Sequence, residues 1–228
     1  MKVDNIRVND LFESIVASGL PMITLYNSDV FEFQLKILKR FSVAPDSCIP
    51  IILNSYIDVA TGNTVKLEEN PHYKRICKLA RNPQSSGHLT ALSGITVSMN
   101  ITATVKWWEQ WQRYHFQQIV SSQSSMHRLR AMLESIDREE VPVSMLFENA
   151  DEKYVKCLAK QAYHLSDAEL AYKAPMGLKL TARVTTNYLQ LGNIYAQRKN
   201  HKLQEWHDFC DVIAELPLAK ELIIRKEK

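Results

Sequence analysis

Two arginines carry the first chemical suggestion in this sequence. Arg113 and Arg198 each close a helical stretch that follows directly on an alternating strand, in His88–Arg113 (HLTALSGITVSMNITATVKWWEQWQR) and Pro175–Arg198 (PMGLKLTARVTTNYLQLGNIYAQR). A planar guanidinium delivered from rigid elements suits recognition of an anion or a flat polar ring. Gln110 lies three residues before Arg113 and shares its helix face, so the two can jointly read a carbonyl-rich base or a phosphate, or can simply be solvated. At about 100° per residue, Asn187 and Arg198 fall about 20° apart, with Leu191 and Ile194 between them on nearly the same face. They can bracket something flat. Equally, the helix can face a core and leave Arg198 to its C-terminal dipole.

Other residues are open to two readings. Trp107, Trp108, Trp111 and Tyr114 can stack on a ring, or can fill a core or a subunit interface. The run Ser121–Ser125 precedes a helix, whose free N–H groups can bind phosphate, and a plain cap explains it equally well. His88, His115 and His127 lack metal-ligand spacing, so no metal is assigned. There is no GxGxxG, GxxxxGK[ST] or GxSxG, which leaves Rossmann, P-loop and hydrolase readings without support. Cys48, Cys77, Cys157 and Cys210 are scattered without a CxxC, and the last three are expected as reduced core residues on helices.

The elements that position these residues can be read in outline. Ile95, Val97, Met99, Ile101 and Ala103 alternate with polar residues, which marks a strand buried on one face, and Leu178, Leu180, Ala182 and Val184 do the same. Pro21–Tyr26 and Cys48–Leu53 read as short strands, with a helix over Val30–Phe41 between them. Thr61-Gly62-Asn63 is a turn signal that suits a hairpin tip. Asn70-Pro71 opens a helix that the loop Asn82–Gly87 ends, and Ser166–Glu169 is a capping box. Helices are also expected over Met126–Ile136, Tyr154–Leu165, Thr186–Arg198 and Leu203–Ile213.

The fold class is therefore α+β, an antiparallel sheet with helices packed around it. The chain has 228 residues, 46% of them hydrophobic and 23% charged, with a formal net charge of +3. One domain with a sizeable core is the default expectation, and the length also admits two small ones. The mild charge argues against a nucleic-acid partner. Met1–Asp10 is polar, and no apolar run reaches the roughly 20 residues that span a bilayer, so a cytoplasmic protein without a membrane partner is expected.

Taken together, the two segments resemble the flavin-dependent (alternative) thymidylate synthases. His88-Leu89-Thr90 matches the His and Thr that open that family's first motif, and the strand follows without a gap. Glu109–His115 keeps the Gln, the Trp and the first Arg of its arginine motif. Pro175, Asn187, Asn193 and Arg198 fall in the register of its C-terminal half, and Leu203-Gln204-Glu205-Trp206 echoes its last piece. The likeness covers residues 87–128 and 168–206 and leaves 1–65 uncovered. The sequence departs from the pattern at Tyr114 and His115, where the family has His and Arg, at Ala91–Gly94, at the serine-rich loop, where Ser124 is kept, and at Ala171. Arg128 and Lys173 are the cations that can stand in.

The resemblance implies a single thymidylate synthase-like domain over 1–228. It implies FAD contacts from Thr90, Arg113, His115, Asn187 and Asn193. It implies dUMP contacts from Gln110, Arg113, Ser124 and Arg198, with Arg198 catalytic at the uracil carbonyls. The implied activity is methylation of dUMP to dTMP with methylenetetrahydrofolate and NADPH as co-substrates. The implied assembly is a homotetramer with sites at subunit junctions, for which the tryptophans of Trp107–Trp111 suit an interface. Two alternatives stay open: flavin-dependent alkylation of another pyrimidine nucleotide, and a non-catalytic member that acts as a nucleotide-binding or structural oligomer.

Overall fold

The structure is a computed structural model and describes residues 1–43, 51–83 and 87–224. Cys48 and the middle of the Asn82–Gly87 loop lie outside the described residues. In chain order the elements are β1 (Lys2–Asn9), α1 (Leu11–Ala17), α2 (Ser28–Lys39), β2 (Ser42–Val43), β3 (Ile51–Ile52), β4 (Ser55–Ile57), β5 (Thr64–Lys66) and α3 (Pro71–Ala80). Then come β6 (Thr96–Thr104), α4 (Val105–Trp111), β7 (Gln118–Ser122), α5 (Ser125–Asp137), α6 (Val143–Leu146), α7 (Glu152–Gln161) and α8 (Asp167–Lys173). The chain continues with β8 (Lys179–Asn187), α9 (Tyr188–Arg198), α10 (Gln204–Ala214) and α11 (Ala219–Leu222). A four-stranded sheet has the order β1-β6-β8-β7, and β2–β3 and β4–β5 form two small antiparallel ribbons. The chain divides into two compact units, Met1–Asp4 with Asn100–Val184 and Asn5–Met99 with Thr185–Lys228.

In the first unit, the Thr102 and Thr181 hydroxyls lie 2.8 Å apart and Arg183 donates to Asn100 Oδ1 at 3.3 Å. The Val105 N–H donates to the Leu178 carbonyl at 2.9 Å. Each step along β6 is matched by the same step back along β8, so the strands are antiparallel. Helix α5 packs on α7 and on α8 around Leu129, Leu133, Val155, Leu158 and Leu170. The buried face of α7 is Val155, Leu158 and Ala159, one position over from the expected stripe, so Cys157 and Tyr154 are exposed. The capping box at Ser166 forms as expected. Gly177 is required by space, because a Cβ there would overlap the Glu148 carbonyl oxygen.

The second unit repeats the antiparallel register: the Ser98 and Thr185 hydroxyls are 3.0 Å apart, and the Tyr188 N–H donates to the Ile95 carbonyl at 3.0 Å. Helices α1, α3 and α9 pack against a 3-10 helix at Gly87–Gly94, where no helix was expected. Asn70 caps α3 with Pro71 in its first turn. The Thr61-Gly62-Asn63 turn closes the β4–β5 ribbon, with Gly62 at φ 68°. Pro21–Tyr26 is not a strand: Leu20–Met22 forms a 3-10 turn and the whole stretch is exposed, so its apolar side chains pair with no sheet.

Candidate functional site

The first unit carries Gln110, Arg113, His115 and Ser124. Thr104 caps α4 by accepting from the Trp107 N–H at 3.2 Å. That phase turns the tryptophans inward: Trp107 and Trp111 are 0% exposed and Trp108 7%, stacked and tilted on one another. They fill this unit's core and are not an exposed interface, which corrects one of the expectations above. The helix ends at Trp111, before Arg113, and the Arg113 N–H bonds back to the Gln110 carbonyl at 3.4 Å. Trp111 Nε1 donates to Gln117 Oε1 at 2.8 Å and ties down the following turn. Arg113 and His115 are exposed on that turn, and Gln110 is half-buried. Tyr114 is buried, its ring tilted against Trp111 at 6.3 Å.

Ser121 and Ser122 belong to the exposed strand β7 rather than to a loop. Ser124 is the N-cap of α5, and its Oγ accepts from the His127 N–H at 3.3 Å. Arg128 and Lys173 are exposed on α5 and at the end of α8.

The second unit carries Thr90, Asn187, Asn193 and Arg198. Thr90 is exposed on the Gly87–Gly94 helix, and its hydroxyl donates to the Gly87 carbonyl at 2.7 Å. Asn187 ends β8 and caps α9, its Oδ1 accepting from the Gln190 N–H at 2.8 Å. Asn193 is half-buried in the middle of α9. Leu191 and Ile194 are fully buried, so the stripe between Asn187 and Arg198 faces this unit's own core. Arg198 is half-buried in the last turn, and its guanidinium lies over the Trp206 ring at 4.7 Å from the centroid.

Trp206 is the neighbour of Arg198 that the sequence did not reveal. In the sequence it stands in Leu203-Gln204-Glu205-Trp206, the echo of the family's last piece, and in the helix expected over Leu203–Ile213. The available signal was an arginine closing one helix and a tryptophan in the first turn of the next, joined by a short connection. His201 sits in that connection. Its imidazole is held below the usual value by burial, then by the charges of Arg198 and His207. Stacking occupies a face of the guanidinium, whereas its N–H donors lie in the plane of the group. The stack is thus compatible with in-plane pairing to a carbonyl edge.

The Cys77 and Cys210 thiols are poorly suited to act as nucleophiles. Burial, then Asp211, pushes the Cys210 thiol up to about 11, and burial raises Cys77 as well. Among the described residues no group of three or more His, Cys, Asp or Glu is placed to hold a metal ion. Among them also, no helix is long and apolar enough to cross a membrane.

No protein-family model matches the chain, and no curated protein matches its sequence. The fold, however, is found among solved structures. One is the flavin-dependent thymidylate synthase ThyX from Helicobacter pylori complexed with FAD and dUMP, 15% identical, with a TM-score of 0.54 over 68% of this chain and 86% of that one. A second ThyX structure from the same organism, with FAD and dUMP, is 17% identical, with a TM-score of 0.52 over 66% of this chain and 82% of that one. The chain thus has the fold of the flavin-dependent thymidylate synthases.

Proposed function

We propose that this protein is a flavin-dependent thymidylate synthase-like enzyme that methylates dUMP to dTMP, with methylenetetrahydrofolate and NADPH as co-substrates. The observation that carries the reading is Arg198. In a chain of this fold, the arginine expected at the uracil carbonyls closes a helix that β8 feeds directly, and it is stacked on a buried indole.

The donor set suits FAD in kind. Arg113 and His115, exposed on one turn, supply a cation and a ring N–H or lone pair for an anionic, heteroaromatic group. Thr90 donates to Gly87 and retains lone pairs to accept with. Asn187 accepts the helix-cap bond on Oδ1, and its amide nitrogen is the donor it can offer. When bound, FAD would supply the redox chemistry and the relay of the one-carbon unit. The chain's own part is positional and electrostatic. Gln110, Arg113 and Ser124 bind the nucleotide. Arg198 donates to the uracil carbonyl edge and stabilises negative charge as the base is activated. The protein works in the cytoplasm as a homotetramer.

Tyr114 favours a second reading, alkylation of another pyrimidine nucleotide. Where the family has a histidine, this side chain is buried against Trp111 and is withdrawn from any ligand. The test is direct. Purified protein should show flavin absorbance near about 450 nm, or acquire it on adding FAD, and should transfer a methyl group to dUMP. Protein that FAD cannot reconstitute and that ignores dUMP would overturn the proposal.

A further inference from the structure

We propose that Trp206 is the positioning residue for Arg198, its indole face holding the guanidinium in one plane so that the in-plane N–H donors are presented ready-oriented to a pyrimidine's carbonyl edge. The inference rests on the reading of Arg198 given above. The geometry behind it is local. The guanidinium carbon lies 4.7 Å from the centre of the ring, inside the range over which a cation is attracted to an aromatic face, and tryptophan is the strongest such partner. The ring is itself enclosed. Trp206 is 0% exposed, with Phe209 tilted against it at 6.1 Å and 75°, and His201 at 6.4 Å and 72°.

The connection between α9 and α10 is pinned as well. The Leu203 N–H donates to His201 Nδ1 at 3.1 Å, the His207 ring nitrogen bonds the His201 carbonyl, and the Trp206 N–H returns to the Leu203 carbonyl at 3.0 Å. The first turn of α10 is therefore set under the last turn of α9 by its own hydrogen bonds. An unstacked arginine at a helix end samples many rotamers and must surrender them on binding. An arginine held over a ring has already given up part of that freedom, and its N–H donors lie in its own plane, away from the ring face.

The experiment combines a structural and a functional readout on the full chain with FAD. The ¹⁵N–¹H resonance of Arg198 Nε should be shifted upfield by the ring in wild type, and should move toward the ordinary position in Trp206→Leu. Both dUMP affinity and turnover are then measured in Trp206→Leu, Trp206→Phe, Arg198→Ala and the Trp206→Leu/Arg198→Ala double variant, with thermal melts alongside. Trp206→Leu should lower affinity or turnover about threefold to thirtyfold, the span of a cation–π contact. Trp206→Phe, which keeps an aromatic face, should recover most of the loss and guards against a variant that does not fold. In the Arg198→Ala background Trp206→Leu should cost nothing further. An equal loss in both backgrounds, or no loss with Arg198 intact, overturns the positioning role. If Arg198→Ala itself leaves dUMP binding and turnover unchanged, it is the function assigned to Arg198 that fails, and the resonance of its Nε still shows whether the stack exists.

Discussion

Replacement of Arg198 by alanine separates a catalytic arginine from a structural one, because the structure sets the size of both effects. As a structural group, Arg198 is a cation in the last turn of α9 and a half-buried partner of the Trp206 ring. The helix-end charge contributes about 0.3–1 kcal/mol and the stack about 0.5–2 kcal/mol, so the variant should lose about 1–3 kcal/mol of stability. For a chain of this size each kcal/mol lowers the melting temperature by about 2–4 °C, and the protein stays folded at room temperature. As the group that stabilises charge on the uracil ring, the same side chain is worth about 3 kcal/mol or more, a loss of about a hundredfold or greater in turnover. Arg198→Lys should rescue poorly, since a point charge cannot reproduce the paired donors of the fork. The assay is methyl transfer to dUMP, or nucleotide-dependent oxidation of the reduced flavin, run beside thermal melts. An Arg198→Ala protein that melts a few degrees early and turns over at the wild-type rate would show a helix-end brace and refute the site.

Other perturbations test separate parts of the reading. Arg113→Ala should weaken FAD binding while leaving the melting temperature nearly unchanged, because Arg113 is exposed on a turn; equal FAD affinity in titrations sinks that contact. Asn187→Asp should keep the cap of α9, since aspartate caps as well as asparagine, yet lose FAD affinity because a carboxylate cannot donate; unchanged affinity would leave Asn187 as a cap alone. His72 and His201 are both held below the ordinary imidazole value of 6.5, His72 by burial and then Arg75, His201 by burial and then Arg198 and His207. The unfolded chain therefore binds these protons first, so this stability is complete above about pH 6.5 and declines as the pH falls below it. Melts should come earlier at about pH 5.5 than at about pH 7.5, with a smaller difference in His201→Gln; no change in that slope would exclude His201 as a contributor. Light scattering should give about four times the 26.3 kDa chain mass, and a monomer at micromolar concentration would contradict the proposed assembly.

What the sequence made legible follows from which physical signals are local. Val97, Met99, Ile101 and Ala103 are all essentially buried, so strict alternation on β6 reports its one buried face, and β8 behaves likewise. Strand β1 escaped notice because its half-buried residues, Val3, Ile6 and Val8, are not evenly spaced. Asn5 adopts φ 53° and shifts the alternation by one residue, as a bulge does. On α7 two apolar stripes lie side by side, and only packing chooses Val155 and Leu158 over Tyr154 and Cys157. The Tyr154 ring stays outside, with its hydroxyl donating to the Lys173 carbonyl at 2.8 Å. Among the candidate site residues, the arginines and Asn187 could be picked from spacing. The Arg198–Trp206 stack could not, because it depends on the path of the α9–α10 connection, which is set by His201 and His207 and leaves no periodic trace.

The two arginines differ in how they are held, and the difference bears on what each can contribute. Helix α9 is tied at both ends within its own unit. At its start the Tyr188 N–H reaches the Ile95 carbonyl at 3.0 Å, its hydroxyl donates to the Pro217 carbonyl at 2.7 Å, and Asn187 closes the cap. At its end the guanidinium rests on a buried indole. The phase of the helix, and with it the direction of Arg198, is therefore inherited from the register of β6 and β8 rather than chosen when a ligand arrives. Arg113 leaves a helix that has already ended and stands exposed on a turn fastened through Trp111 and Gln117. An arginine that must be ordered on binding surrenders up to about 2 kcal/mol of rotamer freedom, which a strong anionic partner can offset and a neutral carbonyl edge offsets less readily. On that basis Arg113 is suited to charge and reach, as on a phosphate, and Arg198 to discrimination, as at the edge of a base.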